Sequence, residues 1–130
     1  MEIYRLKISF PYDESEVRWS KTIDVKEDFT LDELHGLILE LVDFDDDHLH
    51  EFFVGKNPRS RPNEVPDRAR LNEIYPLTGL KLYYLFDFGD SWLFEIKKAR
   101  KKIAFDNSLK YPVLVESTGV NPEQYPEYDD

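Results

Sequence analysis

His48 and His50 stand two residues apart, directly after a run of three aspartates, Asp45–Asp47. In an extended strand such residues share a face, so His48, His50 and Asp46 point the same way. Imidazoles joined by a carboxylate form a zinc-type donor set. Asp87 and Asp90 flank Gly89 in a turn-like stretch and bring two more carboxylates to the same corner. Together, Asp46, His48, His50, Asp87 and Asp90 would bind a ligand, or hold a divalent cation for acid–base work, with His48 and His50 as the metal donors. The plainer reading needs no cofactor. In it, the aspartates solvate and cap a turn, the histidines bond to backbone or carboxylates, and Asp87 and Asp90 accept N–H groups of their own turn. That plainer reading is the default. Glu51 has the opposite strand parity and is a poor fellow ligand.

A second chemistry-bearing stretch is basic. Lys97, Lys98, Arg100, Lys101 and Lys102 could contact phosphates, aided by Arg59, Arg61, Arg68 and Arg70 of the preceding loop. No aromatic platform is interleaved, and a net charge of −10 opposes bulk nucleic-acid or anionic-membrane binding. A solvated strand end is the default. The chain has no G-x-S-x-G elbow, no G-x-G-x-x-G and no phosphate-binding P-loop, and Ser91 has no evident base.

The elements that must position these residues centre on a hairpin within 80–98. Leu82, Tyr84, Phe86 and Phe88 share one face, as do Trp92, Phe94 and Ile96. An odd loop, Gly89-Asp90-Ser91, sets Phe88 against Trp92, Phe86 against Phe94 and Tyr84 against Ile96, putting every large ring on one side. Gly89 would take the positive φ. Tyr83, Leu85, Asp87, Leu93, Glu95 and Lys97 form a mixed, partly covered opposite face.

Upstream, Tyr4, Leu6, Ile8 and Phe10 alternate as a half-buried strand, and Val17, Trp19, Ile23 and Val25 mark a strand folding back on it. Thr30-Leu31-Asp32-Glu33 is a capping box that opens a helix. Leu31, Leu34, Ile38, Leu41 and Val42 are its apolar stripe, which stops near Asp43. Gly36 weakens its interior and suggests a close neighbour. His48–Val54 reads as a strand with bulky residues on both faces. A polar, proline-containing loop over 55–70 follows, then a short helical turn over 71–75 and, later, an edge strand over 111–115.

One domain over 1–130 is the natural unit, with 116–130 a flexible acidic tail. Aromatics at 15% supply a real core. The absence of cysteine removes disulfides and thiolate metal sites. No leader-like apolar run opens the sequence and no stretch approaches a membrane span, so a cytoplasmic protein without membrane contact is expected.

Two blocks carry a resemblance: Asp45-Asp46-Asp47-His48-Leu49-His50-Glu51-Phe52 and Tyr84-Leu85-Phe86-Asp87-Phe88-Gly89-Asp90-Ser91-Trp92. With Tyr4-Arg5-Leu6-Lys7-Ile8 and Thr30-Leu31-Asp32-Glu33-Leu34-His35, they resemble the plasmid pRiA4b ORF-3-like family from about Tyr4 to about Pro112. Phe86 is a small departure, standing where the family usually has tyrosine then aspartate. The resemblance implies an α+β fold, bacterial and archaeal relatives often found on plasmids or transposable elements, and no assigned reaction. Many members end in a cysteine-containing segment, and Gly119–Gln124 here has no cysteine.

The fold expected is α+β, with a mixed sheet packed on one main helix. By analogy alone it is ubiquitin-like, of the β-grasp kind. The function expected is a non-enzymatic binding or interaction domain for a protein or small ligand, associated with plasmid or mobile-element biology. The alternatives are a metal-dependent hydrolase or nuclease using the Asp/His corner, and a nucleic-acid accessory protein.

Overall fold

The computed structural model describes residues 1–59 and 63–126. Seven strands form one sheet: β1 Ile3–Ser9, β2 Ser20–Lys26, β3 His50–Gly55, β4 Glu64–Val65, β5 Lys81–Phe86, β6 Trp92–Lys98 and β7 Val113–Thr118. Helix α1, Leu31–Val42, follows β2, and a short helix α2, Leu71–Ile74, precedes β5. The strand order is β4-β3-β5-β6-β1-β2-β7. Every pairing between these strands is antiparallel, so the sheet corrects the expected mixture of directions. Hairpins join β1 to β2, β3 to β4 and β5 to β6, and the other neighbours, β1 with β6, β2 with β7 and β3 with β5, meet antiparallel across longer separations in the chain. The opening order of hairpin, helix and strand is as expected. The sheet around it is wholly antiparallel, with β1 between β2 and β6.

Helix α1 starts where its cap demands. The Thr30 hydroxyl accepts the Glu33 N–H at 3.2 Å, and Glu33 accepts the Thr30 N–H at 3.1 Å. The helix ends at Asp43, in the left-handed region with φ 61°. Leu31, Leu34, Ile38, Leu39 and Val42 share one buried cluster with Leu6, Ile8, Ile23, Phe52, Leu82, Tyr84, Phe86 and Phe94 of the sheet. Aromatic rings fill its centre: Phe52 and Tyr84 are 4.7 Å apart, and Tyr84 and Phe94 are 5.6 Å apart. Such pairs add roughly 0.5–1.5 kcal/mol each beyond area burial. Gly36 does not mark a close neighbour, since a Cβ there would meet nothing within 4 Å. It faces solvent, where a missing side chain costs no packing.

The β5–β6 hairpin keeps the expected parity with a longer loop. Phe86 lies opposite Trp92, Tyr84 opposite Phe94 and Leu82 opposite Ile96, so the connection is Asp87–Ser91. The Asp87 carboxylate accepts the N–H groups of Gly89 at 3.1 Å and Asp90 at 3.3 Å, and the Ser91 N–H donates to the Asp87 carbonyl at 2.6 Å. These bonds end the strand two residues early. The positive φ falls at Asp87 (62°) and Ser91 (55°), not at Gly89, and Phe88 is exposed. The opposite face is better covered than expected. Phe53, Tyr83 and Leu85 form a second buried cluster with Leu93 against it, and Asp87 and Glu95 are buried too.

Two connecting segments are more structured than their composition suggests. The stretch 55–70 contains β4, and its Asp67 and Ala69 carbonyls accept the Asp32 and Leu31 N–H groups at the start of α1. Arg61 lies outside the described residues. The stretch expected to be a flexible tail begins inside β7, which pairs with β2. It then folds over one end of the sheet. The Trp19 Nε1–H donates to Asn121 at 2.7 Å, and the Asn121 amide donates to the Leu41 carbonyl at 3.2 Å. The side chain of Gln124 accepts the Asp45 N–H at 2.7 Å and donates to the Asp45 carbonyl at 3.1 Å, acting as one rung of a strand ladder. Residues 127–130 lie outside the described residues.

Gly119 sets this path. Its φ is 81°, and a Cβ would sit 2.8 Å from the Trp19 Cα and 2.9 Å from the Arg18 carbonyl oxygen. Gly79, with φ 71°, has open space around it. Gly79→Ala should therefore cost only the left-handed penalty of about 1–2 kcal/mol. Gly119→Ala should cost a further ~1–3 kcal/mol, because backbone cannot yield to it. Urea unfolding of the two variants measures the difference, and equal losses would contradict this packing.

Candidate functional site

Four of the five residues expected to make one corner divide into two groups, the first of them around a histidine that the motif reading passed over, and the fifth, Asp90, joins neither. His35 lies on the buried stripe of α1, one turn beyond Leu31. Its Nε2 is 2.9 Å from the Asp46 carboxylate, and its Nδ1 meets the Tyr84 hydroxyl. With the carboxylate accepting at Nε2, the hydroxyl is left to donate at Nδ1. His50, at the start of β3, stacks on His35 with centroids 3.7 Å apart and planes 13° apart. The His50 Nε2 meets the Asp67 carboxylate at 2.7 Å. Five polar side chains thus satisfy one another between α1, β3, β5 and two loops.

Tyr84 is fully buried. Burial pushes its hydroxyl well above the ordinary phenol range, and the charges of Asp46 and Asp67 add to the rise. The order carboxylate, imidazole, hydroxyl is that of an acid–base relay. Here the hydroxyl ends in the core, and Tyr84 lines none of the surface clefts described here. The relay bonds helix α1 to strand β5 and to the loop that carries Asp46.

His48 belongs to the second group. It lies two residues before β3, so the expected strand parity does not extend to it, and its ring is edge-on to Phe86 at 6.0 Å. Its Nε2 meets the Tyr125 hydroxyl at 2.6 Å and the Asp87 carboxylate at 3.3 Å. Tyr125 in turn donates to Asp47 at 2.7 Å, which pushes its hydroxyl up to about 12. Asp87 therefore has two tasks, turning the hairpin with one oxygen and facing His48 with the other. His48 and His50 do not converge on one point, because each is taken by a partner from a different loop. Among the described residues, no group of three His, Cys, Asp or Glu side chains is placed to hold a metal ion.

Asp90 points elsewhere, into a cleft of about 420 Å³ between the 10–19 loop, the β5–β6 turn and the segment after β7. Phe10, Trp19 and Trp92 form its aromatic side. Phe10 lies 4.8 Å from Trp19 and 6.2 Å from Trp92. Tyr12, Asp13, Glu14, Val120 and Pro122 complete its walls. Trp19 is the buried indole of the core, and its N–H is bonded. Trp92 is half-buried, packed edge-on against Phe44 at 4.8 Å. Among the described residues its Nε1–H is a buried side-chain donor without a hydrogen-bond partner. Such groups are rare in folded proteins and ask for an explanation.

The basic run is divided. Lys97 pairs with Glu95 at 3.5 Å, and Glu95 also takes Lys81 at 3.2 Å. Lys98 lies over the Tyr4 ring at 4.6 Å. Arg100, Lys101 and Lys102 are exposed beyond the strand end. Alternation along β6 sends Lys97 and Lys98 to opposite faces, so the run makes no single basic stripe.

Among the described residues, no helix is long and apolar enough to cross a membrane. A family model described as plasmid pRiA4b ORF-3-like protein matches residues 2–125. The crystal structure of a protein of unknown function, MM3350 from Methanosarcina mazei Go1, is similar to this chain. It has a TM-score of 0.78 and 25% sequence identity, over 95% of this chain and 72% of that one. No curated protein matches.

The buried relay predicts a measurable loss. Tyr84→Phe leaves an imidazole nitrogen unpaired and should cost about 1–3 kcal/mol. The sign of its pH dependence follows from the raised phenol. The folded state keeps a proton that the unfolded state releases near about pH 10. The contribution is therefore complete below that pH and is lost as pH rises through the alkaline range. Tyr84→Phe should flatten the alkaline fall in thermal stability, and an unchanged slope would show that the hydroxyl is not enclosed.

Proposed function

The chain belongs to the plasmid pRiA4b ORF-3-like family, and on that footing we propose that it is a small non-catalytic binding module. Its ligand site is the aromatic cleft bounded by the 10–19 loop, the β5–β6 turn and the segment after β7. The observation that carries this reading is a cleft of about 420 Å³ with Phe10, Trp19 and Trp92 along it and the exposed carboxylate of Asp90 beside them. The rings supply apolar contact area, and Asp90 supplies a polar group beside them. Asp90 is the site residue from the sequence that enters this cleft. Asp46, His48, His50 and Asp87 support it from behind, by fixing α1, the hairpin turn and the C-terminal segment. The family's plasmid-derived name supports placing the partner in plasmid or mobile-element biology.

The hydrolase or nuclease reading needs two or three of Asp46, His48, His50, Asp87 and Asp90 around one point. His48 and Asp87 meet at 3.3 Å, while Asp46 and His50 turn to His35 and Asp67, and Asp90 turns to the cleft. The nucleic-acid reading would use the opposite end of β6. Lys81, Lys97, Lys98 and Arg100 line a cleft of about 370 Å³ there with Tyr75 and Leu77. Glu95 already engages two of those cations, and this lowers what remains for phosphate.

Titration with indole, a neutral aromatic probe, tests the cleft. The Trp92 indole N–H resonance and the backbone amides of 12–15 and 90–93 should shift together. Shifts gathered instead around His48, His50 and Asp67 would move the site back to the histidine corner.

A further inference from the structure

We infer that the occupant of this cleft is a basic peptide segment of a partner protein, carrying Lys or Arg beside apolar residues. The inference rests on the cleft being the binding site and adds the chemistry of what fills it. Three carboxylates, Asp13, Glu14 and Asp90, stand on its walls, and none of its twelve lining residues is Lys or Arg. The Asp13 carboxylate accepts from the Ser15 hydroxyl and from the N–H groups of Ser15 and Trp19, so it is held in place as an anion. Those bonds, and the nearby Arg18, keep its carboxyl below the ordinary range. Glu14 and Asp90 form no ion pair among the described residues.

Anionic walls over an aromatic floor select a cation with an apolar stem. Ring faces attract ammonium and guanidinium groups, and carboxylates add the longer-range pull. The apolar part has its own contacts. Tyr12 is 71% exposed and Val120 is 89% exposed, and both line the cleft. One extended peptide segment, with a cationic side chain beside apolar ones, can meet both demands. A simple amine meets only the first.

The test uses three capped hexapeptides with leucine at alternate positions and lysine, glutamine or glutamate between them, followed by nitrogen–proton NMR of the whole chain, with indole as the uncharged control. The lysine peptide should shift the Trp92 indole N–H and the amides around Asp13, Glu14 and Asp90. Its affinity should fall as salt is raised. Asp90→Asn and Glu14→Gln, with spectra otherwise unchanged, should each weaken it by about fivefold. Equal binding by the glutamine peptide would overturn the cationic assignment and leave the cleft reading intact. Silence from both indole and the peptides would overturn both. Lysine-peptide shifts confined to another face would overturn the assignment. So would concentration-dependent self-association that shifts the same resonances, since a second copy would then be the occupant.

Discussion

An imidazole and a phenol enclosed between a helix and a sheet must find partners there, because an unpaired buried polar group costs about as much as several good contacts give. His35 and Tyr84 meet this constraint together with Asp46, His50 and Asp67. Each partner comes from a different part of the chain. An apolar helix could slide on an apolar sheet and lose little. This one cannot, because a shift of one residue would strand several polar atoms at once. The histidine pair therefore fixes the position of α1 more strictly than its leucines do. The 43–49 and 63–70 loops are fixed along with it.

Much of this was legible where local chemistry decides the outcome. The Thr30 capping box marks the start of α1, and alternation marks the shared face of Tyr84, Phe86, Trp92 and Phe94. Hairpin length was not legible from alternation, because parity allows both three and five residues. The Asp87 side chain chooses five by binding the turn's own N–H groups. In the same way, strand parity was extended to His48, which lies before β3, and could not name the partners of either histidine. Those are Asp67 and His35 for His50, and Tyr125 and Asp87 for His48, of which only Asp87 was in view from the sequence. His35 did leave a signal, a polar ring in register with Leu31 and Ile38. The 116–126 segment looked loose because it is acidic and proline-containing. It is held instead by side chains that satisfy backbone groups elsewhere, above all Gln124 at Asp45.

The division of labour at the β5–β6 turn follows from the same economy of groups. Asp87 is buried and committed inward, to the turn and to His48. Asp90, three residues on, is exposed and faces the cleft. A single tight loop thus joins a structural carboxylate to one open to a ligand. Tyr125, Gln124 and Asn121 hold the segment whose Val120 and Pro122 close the far wall. The cleft is thus shaped by parts of the chain that are far apart in sequence, from Phe10 to Pro122.

The strand order β4-β3-β5-β6-β1-β2-β7 sets the first hairpin between two strands from the second half of the chain. During synthesis, β1 and β2 emerge first and must wait, both edges unpaired, until β6 and then β7 leave the ribosome. Closing such distant pairings carries a loop-entropy cost and slows folding. The sheet cannot be divided into an early and a late unit. Nascent chains of this protein thus present two open strand edges for most of their translation, and a holding chaperone would find its footing there.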